Sequence, residues 1–152
     1  MIICVGSVFL DHIVKIDTFP NKPVKVLAQG IEKRLGGSAA VASFTIKKLG
    51  INTSFIGRLG NDDASKFLKN ELKKFKIKHN NIVEIKGVKS SQSFVYEDKR
   101  GERLLAAFSE KKLLNDKKLP KITFKKNTTV MSDLRWVEAT LYIAKNCNKN
   151  NL

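Results

Sequence analysis

Residues 34–50, RLGGSAAVASFTIKKLG, place two consecutive glycines directly before a run of small side chains and a basic, amphipathic turn. Ala42, Ile46 and Leu49 would share one face of a helix, and Gly50 would end it. A helix that served only to pack in a core would carry larger side chains at its start. The small residues therefore indicate a helix N-terminus that another group approaches closely.

Apolar, β-branched runs alternate with helical segments along the chain. The runs that predict strands are 2–8, 12–17, 23–33, 51–57, 92–97, 102–108 and 128–134. The predicted helices run from after Gly36-Gly37 to about Leu49, from Asn61-Asp62-Asp63 to the basic turn KKFKIK, and from about Trp136 to Asn146. Because a helix between two strands favours a parallel crossover, we predict an α/β fold with a mostly parallel sheet and flanking helices.

Two segments, 12–33 and 92–108, do not fit inside that parallel sheet. The second of them reads as a hairpin whose four-residue loop is Asp98-Lys-Arg-Gly101. A two-stranded ribbon with so much apolar surface is not stable in water by itself. We therefore expect 12–33 and 92–108 to form one small antiparallel sheet that is offset from the α/β core.

Composition excludes several classes of protein. The chain of 152 residues is 42% hydrophobic, which fits one globular domain, and no apolar run is long enough to span a membrane. Cys4 and Cys147 are far apart and belong to no CxxC pair, so neither structural zinc nor a disulfide framework is expected, and a cytoplasmic location is favoured. The net charge is +15, but the lysines are spread along the chain without interleaved aromatic residues. A solvated basic surface is therefore expected rather than a nucleic-acid partner, which stays the weaker alternative.

Three blocks carry a family resemblance: VGSVFLDHIVKIDTFP, then RLGGSAAVASFTIKKLG, then TSFIGRLGNDDASKFLKNEL. In this order they resemble the first half of a PfkB-family carbohydrate kinase of the ribokinase-like group. The late VMSDLRW resembles sulfofructose-kinase-like members of that family. The resemblance covers essentially the whole chain, and it implies a single truncated ribokinase-like domain over 1–152. It also implies that 12–33 and 92–108 form a lid over the sugar.

The resemblance further implies a sugar pocket beside the start of the first helix. Gly36, Gly37 and Ser38 would form one wall, where sugar hydroxyls reach backbone N–H groups that the helix leaves unpaired. Asp11 matches the sugar-binding aspartate of the family, whose carboxylate can accept hydrogen bonds from two hydroxyls. From the residues alone, the glycines fit a tight strand-to-helix turn as well, and Asp11 fits a strand-end cap.

Two positions depart from the family pattern, and a third residue adds a charge. Val41 stands where the family usually has asparagine, and Phe9 stands where ribokinase-like members often present a polar sugar ligand. Each unmatched sugar hydroxyl would cost about 1–3 kcal/mol, so a different sugar face is expected. Arg135 follows the predicted strand 128–134, where α/β folds bind ligands, and it could bind a phosphate, sulfonate or carboxylate. It could equally be a surface arginine stacked on Trp136.

The family's catalytic loop, Gly-Ala-Gly-Asp, does not occur in this sequence, and no GxxxxGK[ST] replaces it. The resemblance implies ATP and Mg²⁺ as cofactors, but it places their site outside this chain, so we expect neither catalytic nor metal-binding residues here. The predicted function is the sugar-binding and lid half of an ATP-dependent carbohydrate kinase, inactive alone. Its expected partners are a sugar or anionic sugar derivative and either a C-terminal half or a second copy bound through the lid. The alternative is a non-catalytic sugar- or partner-binding remnant.

Overall fold

The computed structural model describes residues 1–124 and 127–149, so the end of the polar C-terminal tail lies outside the described residues. The described part of the chain contains nine strands and four helices. In chain order these are β1 (Ile2–Val5), β2 (Phe9–Lys15), β3 (Gly30–Gly36), α1 (Ser38–Lys48), β4 (Thr53–Ile56), β5 (Arg58–Leu59), α2 (Asp63–Lys74), β6 (Val83–Glu84), β7 (Gln92–Glu97), β8 (Arg103–Phe108), α3 (Lys111–Asn115), β9 (Thr129–Ser132) and α4 (Val137–Lys149).

The core sheet has three parallel strands in the order β4-β1-β9, which confirms the predicted parallel α/β core. β1 lies in the centre, with Ile2 opposite both Thr53 and Thr129. Because successive side chains of a strand point to opposite faces, Cys4 packs with α1 and α2 on one face. Ile3 and Val5 pack with α4 on the other face. The result is a three-layer arrangement with helices on both sides of the sheet.

Three short elements were not predicted from the sequence. β5 and β6 form a separate parallel pair, in which Arg58 lies opposite Val83. The helix α3 lies in the Lys-rich segment after β8, where the sequence predicted neither a helix nor a strand, and its Leu113 is buried in the same cluster as α4. A single buried leucine in five residues gives too little periodicity to predict a helix.

The predicted lid segments share one sheet, apart from the core sheet, in the order β3-β2-β7-β8. Its two hairpins are antiparallel, as expected. The central pair, β2 with β7, is parallel, with Asp11 opposite Ser93, so the expectation of a wholly antiparallel sheet was wrong. These two strands are joined by the long segment that contains α1 and α2, and a crossover of that length permits parallel pairing.

The predicted strand 23–33 is also shorter than expected. Strand β2 begins at Phe9, β3 begins only at Gly30, and most of the segment between them lies outside the strands. Pro20 and Pro23 lack the backbone N–H that a strand needs for its ladder, which accounts for the interruption.

Helix α2 begins as its sequence predicts. Asp62 is its N-cap, and its carboxylate accepts the backbone N–H of Ser65 at 3.0 Å. The same carboxylate accepts the hydroxyl of Ser90 at 2.7 Å and the backbone N–H of Ser90 at 2.9 Å. Asp62 therefore connects α2 to the segment before β7, which is a structural role.

A second aspartate joins three segments that are distant in the chain. Asp133 follows β9, and its Oδ2 accepts the backbone N–H of Ser7 at 2.9 Å and that of Ala39 at 3.2 Å. The hydroxyl of Ser7 also donates to it, and its Oδ1 accepts the backbone N–H of Arg135 at 2.9 Å. A side chain at Gly6 would overlap this carboxylate. Asp133 thus fixes the end of β1 and the end of β9 against the start of α1.

We expect Asp133→Asn to destabilise the protein by about 1–3 kcal/mol, because an amide offers one oxygen where the carboxylate offers two to backbone donors. Urea unfolding followed by circular dichroism measures the change. Asp63→Asn is the matched control, since Asp63 is an exposed aspartate paired with Lys66, and it should shift the midpoint little. Equal midpoints for Asp133→Asn and wild type would contradict the structural role of Asp133.

Asp62 predicts a pH dependence of stability. Burial raises the pKa of its carboxyl, but the hydrogen bonds from Ser90 and Ser65 outweigh burial and hold that pKa below its ordinary value of 3.8. Since the folded pKa lies below the unfolded one, the stabilisation is complete above about pH 4 and is lost as the pH falls through the folded pKa. The stability difference between wild type and Asp62→Asn should therefore shrink in urea unfolding below about pH 4. A difference that grows with acidification would contradict this sign.

Candidate functional site

A cavity of about 390 Å³ lies at the carboxyl ends of β1 and β9, beside the start of α1 and below the β7–β8 hairpin. The loop after β1 forms its floor through Ser7 and Val8, and the start of α1 contributes Gly37 and Ser38. Ala107 of β8 lines the opposite side. The cavity is therefore enclosed between the α/β core and the four-stranded sheet.

Three of the predicted site residues line this cavity, namely Gly37, Ser38 and Arg135. Phe9 lines it as well, at the position where the family often has a polar ligand. Gly36, Val41 and Asp11 are not among the lining residues. Gly37 and Arg135 therefore lie at one cavity, whereas Asp11 does not line it.

Asp11 lies one step along the sheet from the cavity. Its side chain lies on the same face of β2 as that of Phe9, two residues away. It accepts a hydrogen bond from the hydroxyl of Ser93 on β7. A Cβ at Gly36, on β3, would overlap the Asp11 carboxylate unless that side chain moved. Asp11 thus lies against Gly36 and is bonded to Ser93, and its role as a sugar ligand stays a prediction.

The start of α1 differs from the expectation. The backbone N–H of Ser38 donates to the Ser7 hydroxyl at 3.2 Å, that of Ala39 to Asp133 at 3.2 Å, and that of Ala40 to the Ser7 carbonyl at 3.3 Å. The expectation that these N–H groups are unpaired and free for sugar hydroxyls is therefore wrong. The requirement for small residues has another cause, because Gly37 has a φ of 91° and its Cβ would lie 2.6 Å from the Ser7 carbonyl oxygen.

Val41 lies on the outer side of α1, where its side chain is 44% exposed. Its backbone N–H bonds to the carbonyl of Gly37 at 2.9 Å, as the helix requires. A side chain in this position does not reach the cavity in the present arrangement. The asparagine that the family usually carries at this position would likewise lie on the outer side of α1, unless the lid sheet moved towards it.

Arg58 is a cavity residue that the sequence reasoning missed. Its guanidinium carbon lies 4.8 Å from the ring centroid of Trp136, and its Nη1 donates to the carbonyl of Leu114 at 2.5 Å. Burial lowers the pKa of this guanidinium, and the charges of Glu138 and Asp116 offset part of that effect. The arginine that stacks on Trp136 is thus Arg58 rather than Arg135. The sequence feature that could have identified Arg58 is a cationic residue within the otherwise apolar segment IGRLG.

The chemistry that the cavity offers is binding rather than proton transfer. None of its lining residues is Asp, Glu or His, and Ser7, Ser38, Ser91 and Ser109 supply neutral hydroxyls. Within residues 1–124 and 127–149, no group of three or more His, Cys, Asp or Glu side chains could hold a metal ion. None of the described helices is long and apolar enough to cross a membrane.

Comparisons with known proteins agree with this geometry. A profile of the pfkB family carbohydrate kinases matches residues 1–144. The nucleoside kinase of Methanocaldococcus jannaschii is 26% identical over 103 residues, which are 68% of this chain and 34% of that protein. The crystal structure of that nucleoside kinase superposes with a TM-score of 0.72 at 20% identity, over 93% of this chain and 48% of the other.

Two further solved structures share the fold. A protein of Agrobacterium tumefaciens assigned as a ribokinase has a TM-score of 0.80 at 24% identity, and the match covers 97% of this chain and 49% of that one. Arabidopsis thaliana ribokinase, solved with ribose and ATP, has a TM-score of 0.60 at 22% identity over 70% of this chain and 35% of its own. The chain thus spans about half the length of the structural relatives that it covers most fully.

The profile match extends over nearly all of the chain, and the Agrobacterium and Methanocaldococcus structures superpose over 97% and 93% of it. The chain therefore belongs to the pfkB family of carbohydrate kinases.

Proposed function

We propose that this chain forms the sugar-binding and lid half of an ATP-dependent carbohydrate kinase. The observation that carries the proposal is the cavity between the start of α1 and the inner face of the four-stranded sheet. It occurs in a chain that spans 49% and 48% of the two structural relatives that it covers most fully. The sulfofructose-kinase-like variant suggested by VMSDLRW and a cytoplasmic location suggested by the distant cysteines belong to the same proposal.

Closure of the four-stranded sheet over a ligand is part of this proposal. Phe9 and Ala107 of this sheet line the cavity, and Asp11 and Ser93 share their face. A ligand in the cavity would meet that face from below, and a shift of the sheet towards α1 would bring Asp11 closer to it. Closing such a sheet over the ligand would exclude water and hold the acceptor hydroxyl in position.

The substrate that we propose is a sugar or an anionic sugar derivative. The relatives are named as nucleoside kinase and ribokinase, and one was solved with ribose. Four serine hydroxyls around the cavity can bond to sugar hydroxyls. Arg135, at the cavity rim, would bind the anionic group through charge-assisted hydrogen bonds.

The family implies ATP as the phosphoryl donor, and phosphoryl transfer ordinarily also uses Mg²⁺ and a base. The residues that line the cavity do not fit Mg²⁺ and supply no base, because none of them is a carboxylate or an imidazole. We therefore derive no chemical step for this chain. Its part in the reaction is to bind and orient the acceptor, and a C-terminal half would supply the rest.

A second candidate function is a non-catalytic sugar- or partner-binding remnant. The observation in its favour is that one chain holds both a cavity and a large apolar surface on the outer face of the lid sheet. That outer face carries the exposed side chains of Ile31, Phe94, Tyr96, Leu104 and Phe108. A surface of this kind would pair the lid with a second copy of the chain.

Kinase assays separate these two functions. We expect the chain alone to show no turnover with ATP, Mg²⁺ and either ribose, fructose or inosine, because it lacks a base. We expect turnover after fusion to the GAGD-containing half of a relative, and none when the aspartate of that loop is replaced by asparagine. Turnover by the chain alone, after contaminating kinases are removed, would disprove the proposed division of labour. Sugar binding with an inactive fusion would favour the remnant.

Sedimentation velocity tests the pairing of lids. We expect wild type to dimerise and Leu104→Lys to weaken the dimer about tenfold or more, because the new charge would be buried in the apolar interface. Leu105→Lys is the matched control, since Leu105 is similarly exposed but lies on the opposite face of β8. A wild-type monomer, or equal effects of the two substitutions, would rule out the outer face as the contact.

A further inference from the structure

The chain has five arginines, and they fall into two groups. Arg34, Arg100 and Arg103 each form an ion pair with a nearby carboxylate. Arg58 and Arg135 have no carboxylate within 4.0 Å in the part of the chain that the structure describes. These two are also the arginines that line the cavity.

No acidic side chain of the lining offsets these two charges. Asp133 is close in sequence to Arg135, but its oxygens are already taken by the backbone N–H groups of Ser7, Ala39 and Arg135 and by the Ser7 hydroxyl. Two guanidinium groups around one space of about 390 Å³ produce a positive potential that a partly enclosed cavity strengthens. An anionic ligand would therefore neutralise the positive charge of the cavity.

Arg58 is held in place before any ligand arrives. Its guanidinium stacks on Trp136, which is 2% exposed, and one of its nitrogens bonds to the Leu114 carbonyl. A guanidinium carries several N–H donors in a rigid plane, so the bond to Leu114 leaves others available. Burial also lowers the pKa of this guanidinium, and the charges of Glu138 and Asp116, neither of which lines the cavity, offset only part of that effect. A fixed, partly desolvated guanidinium binds an oxyanion without losing further side-chain freedom.

We propose that Arg58, together with Arg135, binds an oxyanion group on the ligand of the cavity, so that the cavity selects a sugar that carries a phosphate, sulfonate or carboxylate. Arg58 acts from a fixed position on the wall, and Arg135 from the exposed rim. This inference rests on the proposed function only in taking the ligand to be a sugar. The competing explanation is that Arg58 only connects Leu114 to Trp136 and contacts no ligand.

The chain contains a single tryptophan, and it is the ring on which Arg58 stacks. The fluorescence of Trp136 therefore reports directly on Arg58. We expect fructose 6-phosphate to change this fluorescence saturably with a stoichiometry of one, and inorganic sulfate to compete at constant ionic strength. Fructose should bind with an affinity at least about tenfold lower, since it lacks the charge-assisted contacts. Equal affinities for fructose and fructose 6-phosphate would overturn the proposal.

Variants identify the residue responsible. Arg58→Gln keeps a donor for the Leu114 carbonyl but removes the charge, and it should weaken fructose 6-phosphate binding about tenfold or more in calorimetry. Arg103→Gln is the matched control, because Arg103 is paired with Glu97 outside the cavity, and its affinity should equal that of wild type. Circular dichroism establishes that both variants are folded. Should Arg58→Gln not fold, the wild-type competition by sulfate and the variant Arg135→Gln still decide the question.

The remaining outcomes separate this inference from the proposed function. If inorganic sulfate binds as tightly as fructose 6-phosphate and Arg58→Gln abolishes both, the oxyanion site stands and the sugar part of the proposed function fails. If ATP displaces fructose 6-phosphate with equal or higher affinity, the arginines bind the donor nucleotide and the assignment to the sugar ligand is overturned. If Arg58→Gln binds fructose 6-phosphate with unchanged affinity, Arg58 has only a structural role and the proposal is overturned.

Discussion

The hydrogen bonds of the Asp133 carboxylate fix the geometry on which the rest of the cavity depends. A helix N-terminus presents unpaired N–H groups and partial positive charge, and it requires an acceptor. Here the acceptor comes from Asp133, which is 94 residues from Ala39 and 126 residues from Ser7 along the chain. One carboxylate therefore sets the distance between β1, β9 and α1, and with it the floor of the cavity. Glycine at position 6 is a consequence, since a side chain there would overlap the carboxylate.

The Asp133 carboxylate changes how the cavity can recognise a ligand. The backbone N–H groups at the start of α1 are already hydrogen-bonded, so side chains rather than these backbone groups would recognise a ligand. The lining offers serine hydroxyls, the apolar surfaces of Phe9 and Trp136, and the guanidinium groups of Arg58 and Arg135. Such a set can bind and orient a polyol with a charged group. None of the lining residues is Asp, Glu or His.

The four-stranded sheet has two different faces because side chains alternate along its strands. One face carries Phe9, Asp11 and Ser93 and is directed to the cavity side. The other carries Phe94, stacked on His12 at 4.8 Å, together with Leu104 and other exposed apolar residues. The two faces of this one sheet therefore present different side chains, one set to the cavity and the other outward. A shift of one residue in the pairing of β2 with β7 would move the side chains of β7 to the opposite face of the sheet. This register therefore determines which residues face the cavity and which face outward.

The sequence by itself predicted the family, the three longer helices and the main strands. The apolar runs around Cys4 and Phe55, the cap at Asp62 and the small residues after Gly37 each indicate a local structure, because hydrophobic period and backbone conformation are encoded by neighbouring residues. The order of three motif blocks identified the kinase family before any contact was known. The need for a close approach at Gly37 was also correctly predicted, although the approaching group is the Ser7 carbonyl and not a ligand.

Only the tertiary structure decided which distant groups meet. The parallel pairing of β2 with β7, the capping of α1 by Asp133 and the stacking of Arg58 on Trp136 each join residues that are far apart in the chain. Local periodicity shows which face of an element is buried, but not which other element covers it. For the same reason Asp11 and Val41 could be matched to a family motif, while their distance from the cavity could not be predicted from the sequence. That distance depends on the position of the lid sheet, which the packing of the whole chain sets.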